Sequence, residues 1–107
     1  MTQERIEHRS KMWRWSADGK GSWHFITLDG AAGEALAQTA LLRRLELGKA
    51  RGFGSVKVTA RIGDTRWQTS AFPKKGTSAF DLPVKASVRR AEGLGAGDEV
   101  LVILEPV

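Results

Sequence analysis

A mostly β domain with two helices is the fold class this sequence predicts, built as two halves that each run strand, strand, helix, glycine turn, strand. Three observations carry it. Val56, Val58, Ala60 and Ile62 alternate with Lys57, Thr59 and Arg61, the period-two signature of a strand with one buried face. Val100-Leu101-Val102-Ile103-Leu104 is apolar at every position, which predicts a strand buried on both faces. The order of elements in residues 12–62 recurs in residues 66–104, a repeat of pattern without residue identity. A half of this kind leaves unpaired strand edges, and two halves in one chain can shut a sheet on itself. The expectation is a closed barrel capped by the two helices.

Taken in order, residues 1–10 are expected to form a partly disordered extension, with residues 1–4 frayed, ahead of a single domain over residues 11–107. Residues 5–16 read as one strand, ordered from about His8 to Lys11 onward. Ile6, His8, Ser10, Met12 and Arg14 lie on one face, and Arg9, Lys11, Trp13 and Trp15 on the other. Trp13 and Trp15 are expected to cover the barrel interior or one of its ends. Residues 17–21 form a loop by composition, and residues 22–28 the returning strand.

Asp29 stands at an N-cap position before an alanine- and leucine-rich run, which predicts a helix over residues 30–47. Ala32, Leu36, Thr39, Ala40 and Arg43 fall along its buried stripe, Gly33 is a mild weakness, and Gly48 suits the position just past its end. Residues 50–54 turn into the strand 56–62, Gly63-Asp64 fits a two-residue hairpin, and residues 65–72 return. Residues 73–77 are a polar loop. Phe80, Leu82 and Val84 then alternate inward until Pro83 ends ladder pairing for want of an N–H. Val84, Val88 and Ala91 have helical spacing, Leu94 covers the end of that face, and glycines 93, 95 and 97 lead into the last strand.

Two resemblances attach to these residues. Leu82-Pro83-Val84-Lys85 and the stretch on to Gly97-Asp98-Glu99-Val100-Leu101-Val102 resemble the half-barrel of AbrB/MazE-type swapped-hairpin proteins. Together with residues 23–28, 52–58 and 67–73, they are similar to a bacterial family of unknown function. That family is a single-chain relative of the AbrB-like double-split β-barrel, sometimes fused to a bacteriocin-protection (OmpD-associated) domain that this chain lacks. The resemblance implies a double-split barrel of two ββαβ halves. AbrB-like proteins are implied to close it by dimerising, whereas a duplicated chain is expected to do so as a monomer. The match runs from about residue 12 to residue 105, and a fused chain without matching arginines in its halves departs from the symmetric DNA-binding surface of the AbrB type.

Function is less legible. The 107 residues contain no cysteine, so disulfides, thiolate metal sites and thiol nucleophiles are excluded and a reducing, cytoplasmic setting is expected. The N-terminus has no apolar core of signal-peptide type, and no apolar stretch approaches a membrane span. A net charge of +5 is compatible with a nucleic-acid partner or an anionic ligand, but the charges are dispersed, with no block of five or six alike. No nucleophile elbow, phosphate loop, metal spacing or paired carboxylate appears, so no catalytic residue, cofactor or metal is assigned. His24, between Trp23 and Phe25, reads as a structural or surface histidine.

Two constellations remain. Lys85 lies at the start of the second helix, where unpaired N–H groups favour an anion and oppose a cation; Lys74, Lys75 and Arg89 join it as candidate anion-binding residues, or Lys85 simply pairs with a carboxylate such as Asp81 or Glu92 or extends into water. Trp13, Trp15, Trp23 and Trp67 form a candidate aromatic pocket, or stack bases with Lys11, Arg14, Arg61 and Arg66 between them, or simply fill the core. The expectation is a non-catalytic barrel binding a small molecule or protein, with an AbrB-like nucleic-acid-binding regulator as the alternative.

Overall fold

The computed structural model describes residues 5–16, 18–19, 21–47 and 54–107. The chain runs β1 (Ile6–Lys11), β2 (Trp13–Ser16), β3 (Ser22–Leu28), α1 (Gly30–Leu47), β4 (Val56–Ile62), β5 (Thr65–Pro73), β6 (Phe80–Pro83), α2 (Ala86–Glu92) and β7 (Glu99–Pro106). After β1 the order is strand, strand, helix, strand, twice. The expectations for residues 1–4, for Gly48 and for most of the 50–54 turn fall outside the described residues.

All seven strands belong to one antiparallel sheet in the order β1-β7-β4-β5-β6-β3-β2. Its two edge strands are consecutive in the chain, so the sheet curls until a single segment supplies both edges. No ladder joins β1 to β2 among the described residues, and the barrel is an open half-barrel at that seam, not the closed one expected. The seam is Met12. Its N–H donates to Asp98 O at 2.9 Å, and its carbonyl accepts from Gly97 N–H at 2.8 Å, so its backbone bonds the turn before β7. This splits the one strand expected over residues 5–16 into two. The first part begins at Ile6, earlier than expected, because Ile6 is buried and pairs with Leu104 of β7.

Inward residues alternate as the patterns predict. β4 buries Val56, Val58, Ala60 and Ile62, β6 buries Phe80 and Leu82, and Ile26, Leu28, Val102 and Leu104 complete the core. The hairpin at Gly63-Asp64 joins Ile62 to Thr65 in register, with Gly63 at φ 58°, a left-handed conformation open to glycine at little cost. β7 departs from expectation: Leu101 is 39% exposed and Ile103 half-buried, because neither described helix covers the outer face of the sheet there. A strand at the centre of a sheet can still have one wet face.

α1 turns Ala32 and Leu36 into the core and half-buries Thr39, Ala40 and Arg43, the stripe read from sequence. Leu41, Leu42 and Leu45 stay exposed. Gly33 is no weakness. A Cβ there would stand 2.8 Å from Ser78 O and 2.9 Å from Leu28 O, so the helix packs directly on backbone. α2 is shorter than expected at its start and buries Val88 but leaves Ala91 exposed. Gly93 ends it at φ 65° in the left-handed region. Thr65 Oγ1 donates to Glu92 Oε2 at 2.6 Å and ties α2 to the β4–β5 hairpin. No described helix is long and apolar enough to cross a membrane.

Candidate functional site

The site arises where two neighbouring strands part. β5 pairs with β4 from Thr65 to Ala71, but on its other edge it pairs with β6 only through Phe72–Asp81 and Pro73–Phe80. Beyond Pro83 the chain cannot extend β6 and turns into α2, which packs against β5 and holds the strands apart. The result is a cleft of about 320 Å³ with three walls: Ser22–His24 of β3, Trp67–Thr69 of β5, and the segment from Pro83 to Ala86 with Arg89.

Its polar groups are unbalanced. Lys85 and Arg89 both line it, and among the described residues no Asp or Glu does. Lys85 is exposed, in extended backbone geometry at φ −70° and ψ 161°, and its side chain makes no cap hydrogen bond. Arg89 is half-buried, and its Nε–H donates to Val84 O at 3.2 Å, which fixes the guanidinium against the wall. The His24 ring is half-buried overall, yet its Nδ1 is sealed from solvent with no hydrogen-bond partner. Burial first, then the charges of Arg89 and Arg14, hold its pKa below the ordinary 6.5. Arg14 faces His24 because the two are paired in the β2–β3 ladder. The imidazole is therefore predominantly neutral at pH 7, and a buried polar nitrogen without a partner is an unmet demand.

Two cationic side chains therefore share one cleft. The charge comes from side chains and not from the helix end that the sequence argument invoked, since α2 has only seven residues. Among the described residues no three His, Asp or Glu side chains gather as metal ligands.

The sequence-derived candidates are sorted differently. Lys85 and Arg89 meet; Lys74 and Lys75 do not join them. Lys74 Nζ lies 3.4 Å from Asp81 Oδ2 and 4.8 Å from the Trp13 ring centroid, so carboxylate and indole already engage it. Lys75 is exposed in the following turn. The four tryptophans form no common pocket. Trp67 is 7% exposed and part of the core; Trp15 and Trp23 are 48% and 56% exposed on the outer face. Trp13 is half-buried on that same face, where its Nε1–H donates to Thr27 Oγ1 at 2.9 Å and its ring tilts on Phe25 at 5.0 Å. Trp13 and Trp15, expected to cover the barrel interior or one of its ends, instead share the outer face with their ladder partners Phe25 and Trp23. Of the four, only Trp23 and Trp67 reach the cleft.

His24, read from sequence as a structural or surface histidine, lines the cleft, as does Gln68, which the sequence did not single out. For His24 a signal existed, since it shares the phase of Ile26 and Leu28, both fully buried.

Among curated proteins none matches the sequence. Residues 9–104 match the family described as Domain of unknown function (DUF1905), and with nearly the whole chain covered, the protein belongs to that family.

Proposed function

We propose that this chain is a non-catalytic binding domain that takes a small anionic ligand in the cleft between β5 and the β6–α2 turn. The observation that carries this reading is the cleft itself. Two cations, Lys85 and Arg89, line about 320 Å³, and among the described residues no carboxylate joins them there. The finer reading, a double-split AbrB-like barrel, draws on the twice-repeated order of elements after β1 and on the parting of β5 from β6; a monomer is expected of two halves in one chain, and a cytoplasmic setting of a chain without cysteine.

The alternative, nucleic-acid binding, draws on a groove of about 180 Å³ where Arg61 and Arg66, paired in the β4–β5 ladder, stand with Arg5. Glu105 and Ile103 line the same groove, and a cation track of use to a strand of phosphates is interrupted there.

Titration with inorganic phosphate and pyrophosphate, followed by amide shifts of residues 84–89, tests the proposal. Saturable shifts at millimolar ligand are expected. Lys85→Met should weaken binding about tenfold, the loss of one hydrogen bond to a charged group, while leaving the fold intact because Lys85 is exposed. An unshifted spectrum, or equal affinity in Lys85→Met and Arg89→Met, would refute it.

A further inference from the structure

Strand register brings a third kind of group to the rim of that cleft. β2 and β3 pair Trp15 with Trp23, and β3 and β6 pair Phe25 with Pro83. The Val84 N–H donates to His24 O at 2.9 Å, carrying the second register one residue past the ladder. Trp15 and Trp23 share one row on the outer face, and Lys85, exposed just past β6, lies one residue beyond that bond. Trp23 lines the cleft together with Lys85 and Arg89.

Large indoles half open to water, beside a cationic cleft, offer a flat apolar face next to a charge. The geometry points to a phosphorylated aromatic ring of mononucleotide size as the ligand: its phosphate held by Lys85 and Arg89, its ring laid on Trp23 with Trp15 at the far side. The inference rests on the anion-binding reading above and narrows it. A flat ring suits Trp23 because base stacking on an indole needs only a π-face and tolerates any base. The cleft's volume, about 320 Å³, sits at the lower end of the ~300–1,000 Å³ typical of small-molecule sites, so one nucleotide suits it.

Adenosine 5′-monophosphate, ribose 5-phosphate, inorganic phosphate and adenosine, each titrated against the intact chain, separate the parts. Tryptophan emission reports the ring, and amide shifts at Lys85 and Arg89 report the phosphate. The nucleotide should bind about tenfold or more tighter than either inorganic phosphate or ribose 5-phosphate, the range expected when one base stacks on one aromatic ring. Trp23→Leu should reduce nucleotide affinity to that of phosphate and leave phosphate affinity unchanged, and Trp23→Phe should restore much of the difference. Equal affinity for the nucleotide and phosphate would overturn this inference and leave the anion site standing. Binding of none of the four would overturn both. Tight, steeply salt-dependent binding of a single-stranded decamer without binding of the mononucleotide would also overturn it, in favour of a strand-binding surface.

Discussion

Replacing Gly33 with alanine sets two known effects against each other, and the structure decides their sign. In a helix interior alanine is favoured over glycine by about 1 kcal/mol. Against that, a Cβ at Gly33 would lie 2.8 Å from Ser78 O and 2.9 Å from Leu28 O, with Ala79 Cα at 3.5 Å. Both oxygens are backbone atoms, one at the end of β3 and one just before β6. They sit on neighbouring strands paired at Leu28–Phe80, so neither can yield alone. Relief requires α1 to lift by roughly half an ångström, which opens the packing of Ala32 and Leu36, buried at 5% and 0% exposure. Overpacking of this kind costs about 1–3 kcal/mol, so Gly33→Ala should be net destabilising by about 1–2 kcal/mol. Urea unfolding reads it as a lower midpoint with an unchanged slope. Ala37→Gly, at an exposed position of the same helix, supplies the control for propensity and should cost about 1 kcal/mol. A Gly33→Ala protein as stable as wild type, or more so, would mean that α1 does not rest on those two carbonyls.

Four further outcomes rest on other contacts. His24 has a folded pKa below 6.5, so its contribution to stability is complete above pH 6.5 and is lost as pH falls through the folded value; His24→Gln should flatten that part of the stability-versus-pH curve. An anion in the cleft opposes the same shift, so sulfate affinity, measured calorimetrically, should rise as pH falls through the same window and lose that dependence in His24→Gln. Thr27 Oγ1 accepts from Trp13 Nε1 and donates to Asp81 Oδ1 at 2.8 Å, so Thr27→Val should cost about 1 kcal/mol, and a double-mutant cycle with Trp13→Phe should show coupling. Acrylamide should quench Trp15 and Trp23 and spare Trp67, so the emission left in a Trp15→Phe, Trp23→Phe protein should resist quenching.

What could be read from the chain was whatever depends on neighbours in sequence. α1 spans Gly30–Leu47 as expected, since its buried stripe at Ala32, Leu36 and Ala40 repeats at helical spacing. β4 and the Gly63-Asp64 hairpin follow from alternation and turn chemistry alone. What eluded the sequence depends on how the sheet curls. Nothing local distinguishes Met12 from its flanking residues, yet its backbone bonds to the Gly97–Asp98 turn divide one strand into two. The apolar run of β7 looks buried on both faces, and only the lack of a covering layer shows Leu101 to be wet. Gly33 looks like a helix defect until Ser78 and Leu28 are brought beneath it. The site was half legible: Lys85 and Arg89 were paired by helical spacing, but Trp67, Gln68 and His24 come from strands distant in sequence.

The parting of β5 from β6 has a consequence for what can enter. Between Thr65 and Ala71, one edge of β5 has no ladder partner, and an unpaired edge ordinarily invites a strand from another chain. Here α2 packs against β5, and Thr65 bonds Glu92 across the gap, so an incoming strand would have to displace the helix. Edge pairing also supplies no reason for Lys85 and Arg89 to converge, since backbone amides carry no net charge. Under the proposed function a small anion answers both conditions at once: it would fit without moving α2, and it would meet the two cations together. On that proposal the opening in the sheet is a ligand cleft and not a site of strand addition.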